Sequence, residues 1–268
     1  MQKIFFLTGF PRSGNTIISA ILNQNKNIAV SGHSSLTNCF FNLELVKRTP
    51  IYNNFKNEES IENIQKNMVN NYYNNWPQKY IIDRGEWGTP YNYFMMEKYC
   101  PNEFKIIFLL RNPIDVIKSY IKLCRDNPNF YINKQFEQLD KTTLYRSEEE
   151  EKIELITKKS DFINSSFFSY KNLQNKKNVL FVKYEDFTQN PSKIINKIYS
   201  FLNIPKYKHY FDVKNQFSVN NLSYDDSMIG ADMHKLHLGK VKNYGYPEIK
   251  IPKYIIEKYR NIIKEYEF

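Results

Sequence analysis

FFLTGFPRSGNTIISAIL, residues 5–22, carries an apolar run into a turn bracketed by Gly9 and Gly14 and out into a helical pattern. Inside it, Gly9-Phe10-Pro11-Arg12-Ser13-Gly14-Asn15-Thr16 has the G-x-x-x-x-G-x-T spacing of a phosphate-binding loop. The glycines let the backbone turn tightly and bring N–H groups close to an anion, and the helix behind them aims its positive end at the same point. Arg12, Ser13 and Thr16 add side-chain donors. Asn15, however, stands where a nucleotide triphosphatase carries the lysine that reaches the terminal phosphates. No apolar run ends in a magnesium-binding Asp-Glu pair either. Asp83 closes a strand pattern, but Arg84 follows it, which suits an anion rather than a metal.

Outward from this loop, short β-branched and aromatic runs alternate with helical patterns, the signature of parallel βαβ units. Strands are expected at Ile4–Thr8, Ile28–Ser31, Tyr80–Asp83, Lys105–Leu110 and Val179–Lys183. Helices are expected at Asn15–Asn23, Ser60–Tyr73, Pro113–Leu123, Glu148–Ser169, Ser192–Leu202 and Lys253–Tyr266. Asn112-Pro113 and Asn190-Pro191 are helix starts, each a capping side chain followed by proline in the first turn. The Glu148–Glu151 run reads as a solvated helix face. The fold class is α/β, with about five parallel strands between helical layers, in a single domain over residues 1–268.

The bulk numbers are compatible with this. With 41% hydrophobic and 16% aromatic residues the chain builds a core, which excludes wholesale disorder. A formal charge of +10 points to an anionic partner, or else to a compositional bias toward lysine. Cys39, Cys100 and Cys124 are widely spaced, with neither C-x-x-C nor metal-ligand spacing, and fit a reducing compartment. The N-terminus lacks the features of a signal peptide, and no apolar run approaches the ~20 residues that span a bilayer. A cytoplasmic protein with no stable membrane insertion is expected.

A second constellation is FLLRNPIDVIKSY, residues 108–120. A buried strand delivers Arg111 at its carboxyl end, where open α/β sheets bind ligands, and a guanidinium there is a bidentate partner for phosphate. Ser119 follows eight residues later, two turns into the next helix.

Pro11-Arg12-Ser13-Gly14-Asn15-Thr16 resembles the 5′-phosphosulfate loop of sulfotransferases that use 3′-phosphoadenosine 5′-phosphosulfate (PAPS). Arg111-Asn112-Pro113 with Ser119 resembles their 3′-phosphate motif, including the spacing of eight. FVKYEDFTQNPSKIINKIYSFLNI (181–204) is similar to the family's Tyr-Glu-Asp segment, and HKLHLGKVKNY (234–244) to its late glycine and basic loop. The four segments come in the family's order and span nearly the whole chain. The resemblance implies a three-layer P-loop-like fold and transfer of a sulfuryl group to a hydroxyl, releasing adenosine 3′,5′-bisphosphate (PAP), with no metal required.

It further implies that Arg12, Ser13, Gly14, Asn15 and Thr16 hold the 5′-phosphosulfate. Arg111 and Ser119 would hold the 3′-phosphate, Tyr184 would lie against the adenine, and Lys240, with Lys242, would reach the 3′-phosphate side. The missing lysine then has a reason. A triphosphatase lysine and its magnesium neutralise a transferring phosphoryl group, whereas a sulfuryl group leaving a 5′-phosphate is less charged. Arg12 and Arg84 would serve as fixed electrostatic clamps, since neither guanidinium gives up a proton. The base has two candidates. Glu86 falls where cytosolic relatives carry a histidine, and His33 falls where the tyrosylprotein branch carries a glutamate. Glu86 has the better local context; His234 and His237, in the nucleotide loop, rank below both. Asn15 replaces the first of two threonines usual in the family, and Val241 follows Lys240 where many relatives have tryptophan.

The acceptor stays open among a small alcohol or phenol, a glycan and a peptide tyrosine. Segments 34–78 and 125–150, which match no motif, are the expected acceptor-side elements. Two other classes compete. A P-loop kinase or NTPase requires magnesium-dependent ATP binding, and a basic nucleic-acid-binding protein requires a clustered Lys/Arg patch, whereas here the charge is dispersed and nucleic acid is not an expected partner.

Overall fold

The computed structural model describes residues 2–100, 103–140, 146–159 and 162–266. Five strands, β1 (Lys3–Gly9), β2 (Ile28–His33), β3 (Tyr80–Arg84), β4 (Ile106–Leu110) and β5 (Val179–Lys183), form one sheet in the order β2-β3-β1-β4-β5. Every pairing is parallel. This is the central parallel sheet the alternating pattern implies.

The two-residue side-chain period divides the strands between two faces. Phe6, Ile81, Ile106 and Phe108 belong to one buried cluster, while Phe5, Leu7, Ile82, Ile107 and Leu109 belong to the other. The second face is covered by α1 (Asn15–Leu22) through Ile18, Ile21 and Leu22, and by α11 (Pro191–Leu202) through Ile194, Ile195 and Ile198. The first is covered by α2 (Leu36–Val46), α4 (Glu58–Tyr72), α5 (Pro90–Tyr99) and α6 (Pro113–Asp126), through Phe40, Val69, Met96 and Ile117 among others. Burying both faces is what a parallel sheet requires, and it explains the nearly uninterrupted apolar runs of the strands.

Both Asn-Pro starts are helix caps: Asn112 Oδ1 accepts from Ile114 N at 2.9 Å and Asn190 Oδ1 from Lys193 N at 3.0 Å. Short helices α3 (Pro50–Asn54), α7 (Tyr131–Glu137) and α10 (Tyr184–Gln189) complete the connections. Two expected long helices are divided. The Glu148–Ser169 pattern becomes α8 (Glu148–Glu154), a wide π turn (Leu155–Lys159) and α9 (Phe162–Leu173), with 160–161 outside the described residues. The Lys253–Tyr266 pattern becomes α12 (Lys253–Lys258) and α13 (Arg260–Tyr266), separated at Tyr259. The Glu148–Glu151 run is more than a solvated face: Glu150 closes a capping box with Ser147, Glu149 pairs with Arg125, and Glu151 is buried against Arg146. Beyond α11 the chain forms two small antiparallel ribbons, β6 (Asp212–Val213) with β9 (Gly239–Lys240), and β7 (Ser218–Val219) with β8 (Leu222–Ser223). All three cysteines are free thiols. No helix among the described residues is long and apolar enough to cross a membrane.

Candidate anion-binding active site

Each strand delivers a polar group at its carboxyl end: β1 the glycine loop, β2 His33, β3 Arg84, β4 Arg111 and β5 Tyr184. They meet around a cavity of about 320 Å³.

The loop is built for close approach. Gly9 adopts φ +146° and Gly14 φ +87°; a Cβ at Gly9 would lie 2.2 Å from the Leu109 carbonyl oxygen, and one at Gly14 would lie 2.8 Å from the Tyr184 ring. Arg12 between them also takes a left-handed φ of +58°. That conformation is unfavourable for a side-chain-bearing residue, and the surroundings fix it. Arg111 Nη1 donates to the Arg12 carbonyl at 2.6 Å, Arg12 Nε donates to Ser119 Oγ at 3.0 Å, and Arg12 Nη1 donates to the Met233 carbonyl. Asn15 turns inward: its amide donates to the Phe10 carbonyl and to Ser13 Oγ, both at 3.1 Å. Ser13, fully buried, donates to the same Phe10 carbonyl at 2.6 Å. The two residues thus tie the loop from within, and the position a triphosphatase gives to lysine here holds the loop's shape.

Arg12, Gly14, Asn15, Thr16, Arg84, Arg111, Ser119, Tyr184 and Lys242 all line the cavity, as do His33 and Glu86. Ser13 and Lys240 do not; Lys240 lies in β9 opposite Asp212, with its side chain exposed. Tyr184 is wedged between Gly14 and the Arg111 guanidinium, which sits 4.4 Å from its ring centre.

The charge balance is one-sided. Among the described residues, none of Arg12, Arg84 and Arg111 lies within ion-pairing distance of a carboxylate. Desolvation pushes Arg12 and Arg84 below the usual guanidinium range. Arg111 is only 4% exposed, and its buried Nε has no hydrogen-bond partner. A buried charged donor without an acceptor is costly unless an anion completes it. Arg84 Nη1 donates to Thr16 Oγ1 at 3.2 Å and to the Tyr224 hydroxyl at 2.6 Å.

Around Arg84 lies a cluster that adds Tyr224 and Asp226, which the sequence did not mark, to His33 and His234. The Tyr224 hydroxyl also accepts from the His33 backbone N–H at 3.1 Å. Its ring stacks on His234, with centres 3.7 Å apart and planes 4° from parallel. His234 is pinned by Asp226, with Nδ1 2.7 Å from one carboxylate oxygen and its backbone N–H donating to the other at 2.8 Å. The imidazole of His33 is pushed down to about 4, first by desolvation and then by the positive charges of Arg84 and His234. Glu86 stands exposed at the rim, its carbonyl accepting from Asn92 Nδ2 at 2.7 Å. In a chain of 21 tyrosines, Tyr224 had no periodicity or motif to single it out.

A glycine loop and strand-end arginines on the carboxyl edge of a 2-3-1-4-5 parallel sheet define a P-loop-like α/β protein. Residues 2–266 match the model of the sulfotransferase domain family, and the chain belongs to that family. A sulfotransferase from Alicyclobacillus acidocaldarius shares the fold with a TM-score of 0.52 and 13% identity, over 99% of this chain and 92% of that one. Mouse sulfotransferase SULT7A1 complexed with PAP aligns with a TM-score of 0.46 and 20% identity, over 77% of this chain. This chain spans 60% of the mouse protein's length. The sulfotransferase domain from the curacin biosynthetic pathway aligns with a TM-score of 0.44 and 16% identity, over 98% of this chain and 92% of that one. A search of curated protein sequences finds no match.

Proposed function

We propose that this protein transfers the sulfuryl group of PAPS to a hydroxyl acceptor. The observation that carries the reading is the buried, unpaired Nε of Arg111 in a cavity with three arginines and no carboxylate paired to them among the described residues. These residues fit an anionic nucleotide. The loop N–H groups and Thr16 hold the 5′-phosphosulfate, Arg111 and Ser119 the 3′-phosphate, and Lys242, which lines the cavity where Lys240 does not, adds charge on the same side.

In the reaction the acceptor oxygen bonds to sulfur while the sulfur–oxygen bond to the 5′-phosphate breaks, and that electron pair leaves with the phosphate. Arg12 and Arg84 stabilise the charge growing on the leaving oxygen. The hydroxyl proton goes to a base. His33 is favoured over Glu86, because it stands beside Arg84 and is neutral at pH 7. Bound donor supplies negative charge next to Arg84, which raises the affinity of His33 for the proton it takes up.

Isothermal titration of PAP tests the donor assignment. Arg111→Ala should weaken binding by about 10- to 100-fold, the worth of a lost charged hydrogen bond, and undiminished affinity would overturn the 3′-phosphate assignment. With donor affinity intact, His33→Ala should lower turnover by about 10²-fold or more and Glu86→Gln much less. The reverse order would hand the role of base to Glu86.

A further inference from the structure

A second cavity, of about 200 Å³, shares one wall residue with the donor cavity, His33, and its wall residue Tyr224 accepts a hydrogen bond from Arg84 of the donor cavity. Its other side chains are mainly apolar or aromatic, contributed by Tyr72, Tyr73, Trp76, Phe217, Val219 and Leu222. Among the described residues, neither Asp, Glu, Lys nor Arg lines it. The first three come from segment 34–78, expected to lie on the acceptor side; among the described residues, nothing in 125–150 lines either cavity.

The walls are fixed in place. Tyr73 packs edge-on against Tyr72 and Trp76, with ring centres 4.9 and 4.8 Å away, and its hydroxyl donates to the buried carboxylate of Asp83. Trp87 Nε1 donates to the same carboxylate at 2.5 Å. On the opposite side Tyr224 is held by Arg84, by the His33 backbone and by its stack on His234.

Four polar side chains in these walls, Ser31, Ser34, Tyr73 and Tyr224, are already engaged. Ser31 Oγ donates to the Gly32 carbonyl at 2.7 Å and accepts from Arg84 N at 2.9 Å. Ser34 Oγ accepts from Leu36 N at 3.3 Å and is bonded to Asp83. A sugar entering here would have more hydroxyls to match than a phenol, with Ser31, Ser34, Tyr73 and Tyr224 already engaged, and a charged group would meet no opposite charge among the lining residues, each of which is a cost. One flat ring with a single hydroxyl incurs neither cost.

We infer that this cavity is the acceptor pocket and that it takes an uncharged phenol, its ring among Tyr72, Trp76 and Leu222 and its hydroxyl presented past His33 and Tyr224 to the donor cavity. The inference rests on the sulfotransferase reading of the donor cavity. A free phenol and a peptide tyrosine share this chemistry and are separated by the test.

The intact protein is assayed with labelled PAPS against 2-naphthol, N-acetyltyrosinamide and methyl glucoside, with PAP binding measured in parallel. Either phenol, but not the glucoside, should be sulfated. Preference for 2-naphthol assigns a free phenol, and preference for the amide a tyrosyl peptide. Leu222→Asp alters an exposed residue and puts a charge into the pocket. It should raise the phenol KM about tenfold or more while leaving PAP affinity unchanged. Tyr72→Ala, also at an exposed position, should act in the same direction. Sulfation of the glucoside alone, or a phenol KM indifferent to both variants while PAP still binds, would overturn the pocket assignment. Failure of PAP to bind would instead remove the donor reading and this inference with it.

Discussion

At His33, desolvation and two neighbouring positive charges act in one direction, whereas at Asp83, one residue before Arg84, burial acts in the other. The Asp83 carboxyl is pushed up to about 6 by desolvation, which outweighs its bonds from Tyr73, Ser34 and Trp87. The two leave opposite marks on stability. Asp83, with its raised value, contributes stability that is full below the ordinary carboxylate value and lost as pH rises through about 6. His33, with its lowered value, contributes stability present above the ordinary imidazole value and lost as pH falls through about 4. Thermal melts from pH 7 to 5 should therefore show Asp83→Asn losing ground against the wild type as pH falls, and His33→Gln gaining it; parallel curves would refute both assignments. In histidine NMR, adding PAP should move the His33 titration upward. At this scale Arg12, Arg84 and Arg111 were legible because each follows a loop or strand pattern. Tyr224 and Asp226 were not, since their placement depends on ribbons two residues long, too short to impose any periodicity.

The elements that position the site were legible wherever local signals agreed. All five strands stand where apolar runs end in turns, and both Asn-Pro caps open the helices they announce. The π turn at Leu155–Lys159 and the break at Tyr259 were not legible, because an apolar helical rhythm continues across both. The glycine loop shows how tightly elements meet. Gly14→Ala must bear a left-handed backbone and a Cβ 2.8 Å from Tyr184, whereas Gly239→Ala, at φ +102°, meets nothing within 4 Å. Denaturant melts should find Gly239→Ala costing about 1–2 kcal/mol for the backbone alone. Gly14→Ala should cost more and also weaken PAP binding, because Tyr184 and Arg111 must shift together. Equal costs would mean that the Tyr184 contact gives way freely.

Over the whole molecule, the formal charge of +10 has a local focus as well as a dispersed part. The three cavity arginines have no carboxylate paired with them among the described residues, so a small dianion should stabilise the fold beyond its ionic strength. Sulfate should raise the melting temperature more than chloride of equal ionic strength, and PAP at about a hundredfold excess over its Kd should raise it by roughly 5 °C. Arg111→Ala should remove most of both gains, and a sulfate effect that survives in Arg111→Ala would place the anion elsewhere. The position of Arg84, beside His33 on one side and Thr16 of the glycine loop on the other, carries a reciprocal consequence. Whatever the donor does to the proton affinity of His33, the proton does to the donor affinity of the site, by the same factor. Nucleotide should bind more tightly as the medium is acidified toward His33's range in the complex. Proton uptake on binding, read as a buffer-dependent heat, would then count the charge that Arg84 transmits from one cavity to the next.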